Sequence, residues 1–264
     1  MARKGRSRPR KSEPLPPPLP PETRTVGQLV AETLRLYGRR FWASVVLGLG
    51  PAATAVGLTF IPGWWRLAFV LTAGSLLMTA AFIRGVVIAS DTALTRHSLA
   101  VALLVGYLIF LPVPFLWSAF ILPAVAWLGL VGLAVPAAII ERLELRDAIR
   151  RGLALARADY VHAIGSLATL VILSFLTATM LFLLLRGGSE IALSSAAFAS
   201  LLVISPILFL GGGLLYFDQA ARVESGGPRP RRSRDADLHH AVEPHRPGRA
   251  DAEGEPRPAA RGEP

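Results

Sequence analysis

The feature that most constrains this chain is a run of 43 residues, between His97 and Glu141, that contains no charged side chain. One α-helix of that length would be about 65 Å long, whereas the hydrocarbon layer of a membrane is only about 30 Å thick. The run is therefore predicted to form a hairpin of two membrane-spanning helices. Because proline interrupts a continuous helix, Pro112 and Pro114, together with Trp117, mark the predicted turn.

Four further apolar segments are long enough to cross a bilayer, which takes about 20 mainly apolar residues. They are Phe41–Ile61, Leu67–Ile83 with a continuation towards Ser90, Val161–Leu185 and Ile191–Phe217. With the hairpin they make six spans. We therefore predict an all-α protein, a polytopic six-helix transmembrane bundle with amphipathic helices at its cytoplasmic surface.

Charged residues form only 17% of the 264 residues, against about a quarter in ordinary globular domains. The first 40 residues hold ten Lys or Arg and three Glu, a net charge of +7. An N-terminus inside the cell places 26 of the 28 basic residues on the cytoplasmic side and only Arg66 and Arg186 outside, as the positive-inside rule favours. The sequence predicts a multi-pass protein of the cell membrane with both termini in the cytoplasm. Its basic surfaces are expected to face anionic lipid and not nucleic acid.

The two ends of the chain differ in composition from its middle. Residues 1–24 are basic and proline-rich, and residues 225–264 are rich in Arg, Pro, Gly and Glu. Such compositions cannot form an apolar core, so both segments are predicted to be disordered tails around a membrane domain at residues 25–224. The chain has no cysteine, which excludes disulfides and thiolate metal sites.

Two polar segments have the periodicity of amphipathic helices. Thr25 and Gln28 form a capping-box pattern before the first. The apolar stripes are Val26, Val30, Thr33, Tyr37 and Phe41 in the first segment and Leu145, Ile149, Leu153 and Ala156 in the second. Helices of this kind direct arginines towards lipid phosphates. The candidate head-group contacts are Arg35, Arg39, Arg40, Arg150, Arg151 and Arg157. A plain cytoplasmic anchor is the simpler alternative.

The sequence contains no catalytic signature such as a Walker loop, HExxH or GxSxG. The predicted spans contain no Asp, Glu or Lys, and Arg84 lies near the end of its span, where it is expected to reach the head groups. The triple glycine at residues 211–213 is predicted to allow close helix packing. No catalytic residue, cofactor or metal ion is predicted.

Three short groups of residues, spread over residues 25–224, carry a resemblance to a known family of proteins. They are Thr25–Leu29 with Leu36, Tyr37, Arg39 and Arg40; Pro136–Glu141 with Ala148–Arg151 and Leu155; and Leu214–Asp218 with Arg222–Glu224. Together they resemble the membrane domain associated with bacterial glycerophosphoryl diester phosphodiesterases, a family of largely uncharacterised membrane proteins. The frequent Ala, Arg and Gly are typical of proteins from bacteria with a high genomic GC content.

The resemblance implies a membrane module that in some relatives precedes a catalytic phosphodiesterase barrel. A barrel takes about 250 residues, far more than the residues after the sixth predicted span, so no enzymatic activity is expected. A structural cytoplasmic cluster is predicted from Glu141, Asp218, Arg222 and Glu224 at the inner ends of spans. Asp218 and Arg222 are four residues apart and could pair on one helix.

These observations favour a non-enzymatic membrane scaffold or membrane-organising module. The alternative is a transporter or permease-like subunit for an apolar or amphiphilic solute, and a membrane-embedded enzyme is the least favoured. A cavity between the helices would favour transport, and a filled bundle would favour a scaffold. A membrane protein partner or a homo-oligomer is compatible with the small-residue motif from Ala53 to Gly57.

Overall fold

The computed structural model describes residues 20–184 and 189–225 of the chain. Within these ranges the regular structure is helical. The α-helices are α1 (Val26–Arg39), α2 (Phe41–Val45), α3 (Leu49–Phe60), α4 (Trp65–Phe69), α5 (Ser75–Ser90), α6 (Arg96–Phe110), α7 (Val113–Ala119), α8 (Ile121–Val131), α9 (Ala134–Ile140), α10 (Leu145–Ala158), α11 (Tyr160–Leu184) and α12 (Glu190–Glu224). Pro21–Thr23 and Val46–Gly48 form 3-10 helices, and Val70–Gly74 forms a π-helical turn.

Six helical stretches of the described ranges are long and apolar enough to cross a membrane. Spans one to six are Phe41–Phe60, Trp65–Ser90, Arg96–Ser118, Ile121–Ile140, Tyr160–Leu181 and Ser194–Glu224. They confirm the predicted all-α bundle and characterise a multi-pass membrane protein. Successive spans alternate in direction. We call the end of the bundle with Phe41, Ser90 and Glu224 the charged end and the opposite end the far end.

Span three does not end where the sequence predicted a turn. The chain bends at Pro112, continues as α7 and reverses at Phe120, where the backbone is extended (φ −167°, ψ 154°). Proline is tolerated in the first turn of a helix because the N–H groups there have no helical acceptor. Pro112 and Pro114 therefore start α7 and do not reverse the chain, and the turn predicted around Trp117 was wrong by several residues.

The spans form a ring in which each packs against the next one in the chain. Span six closes the ring, because α12 packs against span five and also against spans one and two. Glycines allow the closest approaches of α12. A methyl group on Gly212 would lie 2.9 Å from the ring of Phe82, and one on Gly213 would lie 3.0 Å from Cβ of Ala89. The triple glycine thus serves helix packing at this crossing, as the sequence indicated.

Span six contains Pro206, which has no N–H to donate to the carbonyl of Leu202. Span one approaches this point through Gly48, where an added methyl group would overlap the Leu202 carbonyl oxygen. The hydroxyl of Tyr37 donates a hydrogen bond of 2.9 Å to the neighbouring carbonyl of Val203. The turn of span six before Pro206 is therefore in contact with both α1 and span one.

The amphipathic helices α1 and α10 pack against the spans at the charged end. In α1 the predicted capping box is present, with reciprocal hydrogen bonds between Thr25 and Gln28. The buried side chains are Leu29, Thr33 and Leu36 in α1 and Ala148, Gly152, Leu155 and Ala156 in α10. These faces are rotated from the predicted stripes. In α10 the buried face is rich in small residues, which permit close packing between helices, whereas the predicted stripe followed the larger apolar ones.

Replacing Gly48 with Ala is expected to destabilise the bundle, because the new methyl group overlaps the Leu202 carbonyl and forces spans one and six apart. Overpacking of this kind costs about 1–3 kcal/mol. The unfolding midpoint in mild detergent should fall. Gly38→Ala is the matched control, since nothing lies within 4 Å of its added methyl group. Equal midpoints for the two variants would contradict the packing described here.

Candidate functional site

A cavity of about 740 Å³ lies between the spans. All six spans contribute to its wall, for example Ala55 of span one, Met78 of span two and Phe110 of span three. Leu128 of span four and Val171 of span five complete the ring, together with a long stretch of span six between Ser200 and Leu215. No lining residue is charged. The void is an apolar compartment in the interior of the bundle.

Three hydroxyl groups in the cavity wall are hydrogen-bonded within their own helices. Thr54 donates to the carbonyl of Gly50 at 2.8 Å, Ser75 donates to Val70 at 3.2 Å, and Ser205 donates to Leu201. Each of these bonds is made within the residue's own helix, which satisfies the donor without any ligand. The Oγ of Ser174 is buried and has no hydrogen-bond partner within the described ranges. Ser174 is thus a polar group that an occupant can use.

Spans one, two and six carry a π-helical turn or a proline where they border the cavity. Span two contains the π-helical turn Val70–Gly74, and both of its end residues line the void. Span six contains Pro206 between the lining residues Ser205 and Leu208. Span one contributes Pro51. Interruptions of regular helical hydrogen bonding are frequent at functional sites in membrane helices.

The cavity is closed towards the charged end by apolar side chains, which we call the floor. Leu133 and Leu215 line the void and belong to one buried cluster with Leu29 of α1 and Leu155 of α10. The two amphipathic helices therefore support the floor. At the opposite limit the lining reaches Trp117, close to the far end of span three.

Below the floor lies a buried charge cluster in which two arginines meet two aspartates. Asp218 is completely buried and accepts a hydrogen bond of 2.7 Å from the guanidinium of Arg24. Arg222, only 2% exposed, donates at 2.6 Å to Asp159, which immediately precedes span five. The four charges balance, as the burial of ions requires.

Further hydrogen bonds tie the cluster together. Arg222 donates to the backbone carbonyl of Arg24 at 2.6 Å, and Gln219 donates to the backbone carbonyl of Asp159 at 3.1 Å. The imidazole of His162 lies 3.4 Å from Arg222 and 3.8 Å from Asp218. Residues separated by almost 200 positions are thus joined: the N-terminal segment, the start of span five and the end of span six.

A second ionic contact lies nearby on the surface. Arg151 of α10 donates to both carboxylate oxygens of Glu141, at 2.8 and 3.2 Å, and Tyr216 donates to the same carboxylate. The hydrogen bond that Arg151 donates to Glu141 raises the pKa of Arg151, and the negative charge of Glu224 adds to this effect. The group links α10 to the ends of spans four and six.

The predicted structural cluster is divided between these two groups. Asp218 and Arg222 share the buried charge cluster, but each pairs with another element, and they form no ion pair with each other within the described ranges. Glu141 belongs to the surface contact, and Glu224 contributes only at longer range. The geometry agrees with a role in joining helix ends.

Four of the six candidate head-group arginines face carboxylates of the chain itself. Arg35 and Arg39 both pair with Glu32, at 3.1 and 3.4 Å. Arg40 pairs with Asp91 at 3.1 Å, and Arg151 with Glu141. The other two, Arg150 and Arg157, are exposed and form no ion pair within the described ranges. Arg84 lies on an exposed stripe of α5 with Leu76 and Ala80, directed away from the bundle.

Sequence reasoning missed Arg24, Asp159, His162 and Gln219 as members of the buried charge cluster. Arg24 was placed in a disordered tail, yet Pro21–Thr23 is helical and Arg24 is buried. The rest of both predicted tails lies outside the described residues. A signal did exist for Asp159: it stands three residues before His162, and its carboxylate accepts the His162 N–H at 3.1 Å, as an N-cap does. Its pairing with Arg222 has no local signal.

No family model, curated protein or solved structure matches this chain. The resemblance to a phosphodiesterase membrane domain therefore stays a prediction, and the function has to be argued from the geometry of the cavity and the cluster.

Replacing Asp218 with Asn is expected to lower stability markedly, because the variant removes the carboxylate that faces the buried guanidinium of Arg24. Breaking one partner of a buried pair costs about 3–5 kcal/mol. Asp147→Asn, an exposed site on α10, should change stability by less than about 1 kcal/mol. Thermal unfolding in detergent measures both. Similar losses of stability in the two variants would contradict a specific stabilising role of the buried charge cluster.

Proposed function

We propose that this integral membrane protein binds an apolar or amphiphilic solute in the cavity between its spans, as a transporter or permease-like subunit does. The observation that carries the proposal is the wall itself, to which all six spans contribute apolar side chains. A scaffold needs only the outer surface of its bundle and gains nothing from a void. Ligand sites in proteins have volumes of about 300–1,000 Å³ and mainly apolar walls, and this cavity falls within that range.

Occupancy by an apolar molecule is also favoured by packing energetics. The apolar side chains of the wall lack contacts on the side that faces the cavity, and each lost contact forfeits dispersion energy. Water is a poor occupant, because voids lined by apolar groups stay dry. A molecule with a hydrocarbon part fills the space and restores the lost contacts.

The charge distribution supports an orientation for the proposed subunit. The charged end carries α1, α10 and most arginines of the described ranges, and we propose that it faces the cytoplasm, in agreement with the positive-inside rule. The floor then closes the cavity on the cytoplasmic side, and the void extends towards the outer side. This arrangement corresponds to one closed-inside state of an alternating-access cycle.

Replacing Ala55 with Trp is expected to fill part of the cavity and to reduce the amount of bound apolar molecule at least fivefold. Ala53→Trp is the matched control, since Ala53 lies two residues away in the same span but is exposed on the outside of the bundle. Native mass spectrometry and solvent extraction after purification in mild detergent measure bound molecules per protein. Equal amounts in the wild type and in both variants would overturn the proposal.

A second candidate function, recognition of anionic lipid at the charged end, is favoured by Arg150 and Arg157. Both are exposed on α10 and form no ion pair within the described ranges, so each retains a full charge for a phosphate. Arg35 and Arg39 already pair with Glu32, so their charges are partly neutralised and attract a lipid phosphate less strongly. This function suits a membrane-organising module and is compatible with solute binding.

Changing both Arg150 and Arg157 to Gln is expected to weaken the preference of the reconstituted protein for anionic lipid. Two arginines near a membrane surface contribute about 1 kcal/mol each, or a roughly fivefold effect per residue. The double variant Arg35→Gln with Arg39→Gln removes the same charge from paired positions and should have a smaller effect. Lipid enrichment around the protein, measured in mixed vesicles, distinguishes the two. Equal effects of the two double variants would show that only the net charge of the protein matters, which would contradict specific recognition by Arg150 and Arg157.

A further inference from the structure

We infer that the occupant of the cavity is an acyl chain of a membrane lipid, which enters sideways from the bilayer with its head group towards the far end. This inference rests on the proposed function and specifies the substrate class. Three properties of the cavity support it: its length, the position of its opening and the depth of its floor.

The cavity is elongated along the spans. Its wall extends on span six from Ser200 to Leu215 and on span five from Leu167 to Ala178, which at 1.5 Å per residue corresponds to about 22 and 16 Å. One leaflet contributes about half of the 30 Å hydrocarbon layer, or about 15 Å, so an acyl chain matches the extent along span five and is shorter than the extent along span six. A volume of about 740 Å³ over that length leaves a mean cross-section of about 40 Å². A methylene chain is about 4 Å wide at van der Waals contact, so one or two extended chains fit.

The opening lies at the depth of the hydrocarbon layer. Phe175 lines the cavity although 60% of its surface is exposed, and it lies within span five, well before the end of that span at Leu181. Trp117 also lines the void and is 56% exposed, which extends the opening from this depth to the far end. A side chain that borders both the cavity and the outer surface marks the place where the two meet. Since lipid surrounds the bundle at this depth, the entrance leads from the bilayer and needs no passage through water.

The floor fixes the direction of the chain. Leu133 is seven residues from the charged end of span four and Leu167 is seven residues from that of span five, so the floor is about 10 Å above this end. Below it stand Asp218 and Arg222, whose charges exclude a hydrocarbon tail. At the other limit, Trp117 lies near the far end, where indole rings sit among head groups. The chain terminus therefore points to the floor and the head group to the far end.

Photolabelling in vesicles of phosphatidylethanolamine and phosphatidylglycerol tests this inference on the full chain. One phospholipid probe carries a diazirine at the end of an acyl chain, and a second carries it near the head group. The terminal probe is expected to label deep lining residues such as Leu167, and the second probe is expected to label Trp117. Peptide mass spectrometry locates the labels. Labelling of the lining should fall at least fivefold in Ala55→Trp and stay unchanged in Ala53→Trp.

A third probe, a small apolar diazirine compound without a head group, separates this inference from the proposed function. If it labels the lining while both phospholipid probes label only outward-facing residues such as Met180, the acyl-chain inference is overturned and solute binding stands. A reversed depth order would overturn the assigned direction. If none of the three probes labels the lining, both proposals fail.

Discussion

Two buried arginine–aspartate pairs hold together parts of the chain that are far apart in sequence. Arg24 belongs to the N-terminal segment before α1, Asp159 immediately precedes span five, and Asp218 and Arg222 lie near the end of span six. Each charge would be very costly to bury alone, and removal of one partner leaves the other uncompensated. Separation of the N-terminal segment from span six would break the first pair, and separation of span five from span six would break the second. The position of α1 along span six depends on the first pair, and so does its support of the floor of the cavity.

The cavity borders a region of close packing between spans two and six. These spans are in close contact through Gly212 and Gly213. Towards the far end, span two contains a π-helical turn and span six contains Pro206. In lipid the apolar effect does not drive helices together, so close contact between spans relies on small residues. The cavity begins at this contact, because Phe82 and Gly212 also line it.

The number of spans and their approximate limits could be predicted from the sequence, because hydrocarbon thickness acts on each segment separately. The capping box at Thr25 could also be predicted, because it depends only on two residues three positions apart. The reversal at Phe120 was misplaced because proline both breaks and starts helices, and the local pattern does not say which. The pairing of Arg24 with Asp218 spans 194 positions and depends on how the ring of helices closes. The cavity had no signal at all, since a lining leucine and a lipid-facing leucine look alike in sequence.

The floor connects the two parts of the candidate site. Leu133 and Leu215 face the cavity on one side and pack with Leu29 and Leu155 on the other. Leu29 belongs to the helix that begins two residues after Arg24, so the charge cluster fixes its position. The proposed occupant would contact Leu133 and Leu215, whose positions depend on the packing of α1 and α10 beneath them. If the cavity binds such a molecule, its binding free energy favours the docked arrangement of the two helices, and by linkage the release of the N-terminal segment weakens binding.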